Sequence, residues 1–230
     1  PWRYSEQARA ATKTFAEYQA QVRKRGAQFS ARIQQEMPQA VIHTFFLLSY
    51  FGGLGRETDP AERDRTLSEQ DYGLLPAFLN GMLDAAGPGL TITDGNEGSY
   101  YYTGRDQFLR ARKGIHYTAL GLVAPENRRK YITQVQCSQA LYVDQLFALR
   151  TGKFESSYME PQERAKWFEH NTFWALCTAD EYVWLYSEKM NWWDGSELPE
   201  GLEGAVIAAK ERLAESSDLG WDIKPIIEKA

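Results

Sequence analysis

Two carboxylates define the chemistry this chain offers. Glu188 closes the stretch Glu181-Tyr-Val-Trp-Leu-Tyr-Ser-Glu188, just ahead of Asn191, Trp192 and Trp193. Glu97 sits in Gly95-Asn-Glu97-Gly, a few residues before Tyr100 and Tyr101. Aromatic rings around a carboxylate suit a sugar, because the C–H face of a pyranose stacks on a ring while its hydroxyls take polar partners. Most glycoside hydrolysis needs two carboxyl groups across the scissile bond. Burial among rings raises the pKa of one of them enough to make an acid. On this reading Glu97 and Glu188 are the catalytic pair, with acid and base roles unassigned. Asp94 orients a sugar hydroxyl or a catalytic partner, while Tyr100, Tyr101 and Trp192 wall a cleft. Asp144, Asn191 and Trp193 complete the substrate-binding set. Bland roles compete at several positions: Glu97 as a turn residue, Glu188 as a salt-bridge partner, and the two tryptophans as a plug over one end of the fold.

Other chemistries find less support. His43, His116 and His170 lack H-x-x-x-H spacing, and Cys137 and Cys177 form no C-x-x-C pair, so no metal or other cofactor is expected. Asp94-Gly-Asn-Glu lacks the twelve-residue calcium pattern. No G-x-S-x-G elbow is present for a serine nucleophile. Phe51-Gly-Gly-Leu-Gly55 matches neither phosphate-loop spacing. His43, within an apolar run, reads as a packed core histidine, and the cysteines read as small buried hydrophobes.

These residues need strands to hold them. Residues 182–188 alternate, with Tyr182, Trp184, Tyr186 and Glu188 on one side, as in a strand packed on both faces. Further strands are expected near 41–50, buried on both faces, near 90–94 and near 132–138, although the last also fits a helical stripe. Ser5 caps a helix running to about Glu36, and a polar loop follows at 51–66. Ser68 caps a helix ending near Ala86, another covers about 104–113, and Pro161 opens one that leads into the final strand. A last helix ends near Glu215, leaving 216–230 as a surface-bound or loose tail.

Alternating strands and helices imply a parallel sheet, either doubly wound and open or closed as a (β/α)8 barrel. Both place active sites at the carboxyl ends of strands, but no nucleotide fingerprint follows any strand, which favours the barrel. The runs Thr93-Asp-Gly-Asn-Glu97 with Tyr100, and Tyr182-Val-Trp-Leu-Tyr-Ser-Glu188 leading to Trp192-Trp193, resemble the later strands of TIM-barrel glycoside hydrolases of poorly characterised bacterial type. The resemblance covers about residues 38–195. It implies a carbohydrate-active α/β enzyme of the (β/α)8 TIM-barrel-like class, this chain supplying the last four βα units. Residues 1–215 would then form the C-terminal half of the barrel, completed by a complementary chain or by a missing N-terminal half. The alternative is a non-catalytic carbohydrate-binding or structural subunit.

Composition narrows the partners. With 26 basic and 31 acidic residues the net charge is −5, which argues against nucleic acid. No apolar run approaches the roughly 20 residues needed to span a bilayer. The first residue is Pro1, with no leader before it, which points to a processed product or a piece of a longer chain. The compartment stays open, with a lean towards a secreted or periplasmic setting.

Overall fold

Regular structure begins in earnest at Thr14-Phe-Ala-Glu17 in the computed structural model, which describes residues 2–230. Thr14 Oγ1 accepts from Glu17 N at 3.2 Å and Glu17 Oε2 accepts from Thr14 N at 2.8 Å. This reciprocal box starts α1 (Phe15–Glu36). The helix expected from Ser5 is therefore corrected: Tyr4–Glu6 is a 3-10 turn, and the helix starts nine residues later at Phe15.

The chain divides into two units, Pro1–Asp94 with Lys113–Gln136, and Gly95–Arg112 with Cys137–Ala230. In the first unit β1 (Val41–Thr44) follows α1. It stops at Thr44 rather than near 50, because Leu47 N and Ser49 N are taken by the Asp94 carboxylate and the chain turns into a 3-10 segment, Leu48–Arg56. The strand is not buried on both faces either. Val41 and His43 are exposed, so the core reading of His43 is corrected, its Nδ1 lying 2.6 Å from Thr93 Oγ1.

Asp59 caps α2 (Pro60–Glu69) through Ala61 N at 2.9 Å, with Pro60 in the first turn. The expected loop at 51–66 thus contains the start of a helix, and Ser68 lies inside that helix. Next comes α3 (Leu75–Ala85), packed on α1 where two glycines remove the side chains. A Cβ on Gly81 would lie 1.8 Å from Arg23 O, and one on Gly26 2.1 Å from Phe78 O. The strand β2 (Thr91–Asp94) pairs in parallel with β1, Val41 opposite Thr91 and Thr44 opposite Asp94.

The chain returns to the first unit through α4 (Arg105–His116). Helix α5 (Arg128–Gln134) buries Tyr131 and Gln134, three residues apart, so the strand expected over 132–138 is corrected to helix until residue 134. Only then does the period change, giving β3 (Val135–Cys137) beside β2 in the order β1-β2-β3. Leu79, Leu83, Leu90 and Ile92 form the centre of this unit's core.

After Ser138 the second unit continues with β4 (Gln139–Tyr142), α6 (Val143–Leu146), α7 (Pro161–Thr178), β5 (Val183–Tyr186), α8 (Leu202–Glu215) and α9 (Lys224–Ile227). Strands β4 and β5 pair in parallel, from Gln139 opposite Val183 to Tyr142 opposite Tyr186. Leu141 and Leu185 face a core built on Trp167, Phe168 and Phe173 of α7. Leu219 and Ile223 are 3 % and 1 % exposed in that core, so the tail after 215 is packed rather than loose.

The chain is α/β with parallel strands, but it is not half of a (β/α)8 barrel. Among the described residues there are five strands of three or four residues, in one sheet of three and one of two. Apolar runs alternating with helices are common to every α/β fold, so they did not specify a barrel. The expectation of a complementary chain rested on that half-barrel. Among the described residues no helix is long and apolar enough to cross a membrane.

Candidate active site at the exits of β4 and β5

The pairing of β4 with β5 collects aromatic side chains on one face. Ala140 lies opposite Trp184 and Tyr142 opposite Tyr186, so the alternation of both strands sends three rings the same way. Tyr100 joins them from the 3-10 turn Glu97–Tyr101. Its ring centroid is 4.9 Å from Tyr142, 5.4 Å from Trp184 and 5.8 Å from Tyr186, the last pair stacked at 17°. Polar bonds hold this turn on the strand: Ser99 Oγ accepts from Ala140 N at 2.7 Å, and Asn96 Nδ2 donates to Gln139 Oε1 at 2.8 Å. Trp184 Nε1 donates to Gly95 O at 2.8 Å.

The carboxylates border this face. Glu97, first residue of the 3-10 turn, is half-buried, and desolvation pushes its carboxyl pKa up. Glu188 is exposed, its Oε1 accepting from the Tyr186 hydroxyl at 3.3 Å. Burial raises the pKa of the Tyr186 phenol, and the negative charges of Glu188, Asp144 and Glu97 raise it further. Tyr142 is pushed up to about 12 by burial, against the pull of the Arg150 guanidinium 5.2 Å over its ring. Burial and the Glu97 charge also raise the pKa of Tyr100. The raised pKa of Tyr186 keeps its hydroxyl protonated, as its bond to Glu188 requires.

Asp144 is fully buried two residues beyond β4. It accepts from Ser187 Oγ at 2.5 Å and from Glu188 N at 2.8 Å, which fixes the backbone that carries Glu188. It positions Glu188 and presents no oxygen to solvent. Asn191 is also committed, its amide donating to Asp194 Oδ2 at 2.8 Å and accepting from Trp193 N at 3.0 Å. The loop so tied presents Trp192 half-exposed and Trp193 98 % exposed, so neither ring acts as a plug. Tyr101 is 56 % exposed beside Tyr100.

Asp94 belongs to the first unit. It is fully buried, accepting from Leu47 N at 3.1 Å, Ser49 N at 2.8 Å and Ser49 Oγ at 2.5 Å. The second unit therefore brings together Glu97, Tyr100, Tyr101, Asp144 and Glu188, with Asn191, Trp192 and Trp193 on the loop that follows. Tyr142, Tyr186 and Arg150 join the face without having been singled out as site residues. Strand alternation signals Tyr186, while Tyr142 needs the β4–β5 register. Among the described residues neither cysteine forms a disulfide, Cys137 being fully buried and Cys177 partly so. Among the described residues no group of three His, Cys, Asp or Glu side chains forms a metal site.

No protein-family model matches the chain, and no curated protein or solved structure matches it. The resemblance to TIM-barrel glycoside hydrolases is overturned by that result together with the two small sheets of short strands. The functional reading rests on the site alone.

Proposed function

We propose that the tyrosine face of β4 and β5 binds a carbohydrate and cleaves a glycosidic bond, with Glu97 as general acid and Glu188 as base or nucleophile. One observation carries this reading: Glu188 accepts from Tyr186, and Glu97 opens the turn whose Tyr100 stacks on that same ring. Tyr186 donates to Glu188, and the charges of Glu188 and Glu97 both disfavour its ionisation. Burial raises the pKa of the half-buried Glu97, as a general acid requires. Exposed rings of Tyr101, Tyr186 and Trp192 offer surfaces for pyranose C–H faces.

Turnover of chromogenic glycosides tests the proposal. Glu97→Gln and Glu188→Gln should each lower kcat by about 10²–10⁴-fold, while affinity for the same sugar stays within a few-fold. Undiminished turnover in Glu188→Gln rejects the catalytic assignment. The nearly complete exposure of Trp193 favours a second reading, a non-catalytic carbohydrate-binding subunit. That reading wins if the wild-type chain retains sugars but cleaves none.

A further inference from the structure

A second concavity lies within the same unit, and none of the tyrosine-face residues lines it. It has a volume of about 840 Å³, enough for one or two sugar rings, and is walled by the start of α4, by His170 and Trp174 of α7, and by residues between 218 and 224. His170 is 2 % exposed, and its hydrogen bonds fix which nitrogen carries the proton. Asn171 Nδ2 donates to Tyr102 O at 2.8 Å, so Asn171 Oδ1 is an acceptor. His170 Nδ1, 2.8 Å from that oxygen, must then be the donor. In the neutral ring Nε2 keeps a lone pair, and no described residue donates to it. His170 lines the cavity, so a ligand hydroxyl or a water there can supply the missing donor.

The rim is cationic where α4 begins. Arg105 and Arg110 have no ion-pair partner among the described residues, and Arg105 lies 4.7 Å over the Trp174 ring. Backbone N–H groups at the first turn of this twelve-residue helix add positive potential. Asp218 and Asp222 turn their carboxylates to the N–H groups of Gly220 and Lys224, at 3.0 Å and 2.9 Å. With Asp106 they offset Arg105, Arg110 and Lys224, so no net field draws in a polyanion, and a single anionic group would be held locally by the two arginines.

We propose that this cavity binds a small anionic polyol, a sugar bearing a carboxylate or a phosphate. One of its hydroxyls donates to His170 Nε2, and its anionic group lies against Arg105 and Arg110. The site is independent of the glycosidic-bond chemistry proposed above. Calorimetric titration of the full chain with glucuronate, glucose 6-phosphate, glucose and inorganic phosphate tests it. At least one of the two anionic sugars should bind, at least tenfold more tightly than glucose or phosphate alone. Arg110→Ala should weaken that binding about tenfold, and Glu188→Gln should leave it unchanged. Because His170→Phe could fail to fold, the ring is followed in the wild-type protein: its Hε1 NMR resonance should shift as the anionic sugar is added. Failure of both anionic sugars to bind overturns the proposal, as does equal binding of phosphate alone. So does a stationary His170 resonance, or full affinity in Arg110→Ala.

Discussion

Asp94 and Asp144 perform the same task at the ends of two different sheets. Each is fully buried at or just past the end of a strand. Each accepts a serine hydroxyl at 2.5 Å and a backbone N–H at 2.8 Å from the segment that follows the neighbouring strand. A buried carboxylate is tolerated because these donors replace its lost hydration. What differs is the segment being fastened. Asp94 holds Ser49, next to Leu48 and Phe51 in an apolar core. Asp144 holds Ser187 and Glu188, beside a tyrosine face that borders solvent. The same bonding device is thus structural in one unit and holds a candidate catalytic group in the other.

The comparison breaks or sharpens on the aspartates first. Asp144→Ala should lower glycoside turnover about 100-fold by letting Glu188 drift, and cost about 1–3 kcal/mol of stability through the donors left unpaired. Asp94→Ala should carry a similar stability cost yet leave kcat per folded molecule unchanged. Denaturant melts paired with active-site titration separate the two effects. Equal loss of turnover in both variants would show that the distinction is false.

Next in size is the packing of unit one, which has no counterpart in the tyrosine face. Gly81→Ala drives a methyl onto the Arg23 carbonyl and should destabilise by about 1–3 kcal/mol. Sugar affinity of the folded fraction should not change, and thermal melts with a binding assay check both.

The pH dependence comes third. Burial raises the Glu97 pKa above its unfolded value, so between those two values the native state holds a proton that the unfolded state has released. The Glu97 contribution to stability therefore falls as pH rises from the ordinary carboxylate range through the raised pKa. Turnover should fall over the same rise, because the acid loses its proton. Glu97→Gln should remove the stability slope, as urea midpoints across that range would reveal. The smallest effect is expected from Tyr186→Phe, which deletes only the 3.3 Å bond to Glu188 and should change turnover a few-fold.

Part of this arrangement was legible in the residues. The alternation through 182–188 put Trp184 and Tyr186 on one side, and both lie on the tyrosine face. Thr14-x-x-Glu17 and Asp59-Pro60 are local signals for helix starts as well, but the expected starts lie at Ser5 and Ser68, where serines with plausible spacing outcompeted them. What else failed was non-local. Asp94 and Ser49 are 45 residues apart, and Asp144 and Ser187 43, so no periodicity could reveal that these carboxylates were already occupied. Nor does an apolar run report how many strands share its sheet, which is why four apparent βα units suggested a barrel.

The loop after Glu188 has one more consequence. Its backbone and side chains bond to one another, so Trp193 stands almost wholly in water on a pre-shaped support, with Trp192 half-exposed beside it. The other five tryptophans are buried or partly so. Collisional quenchers will therefore extinguish the emission of these two indoles first, and any molecule settling on the loop will shield them. The chain carries its own optical gauge of occupancy, readable without a label.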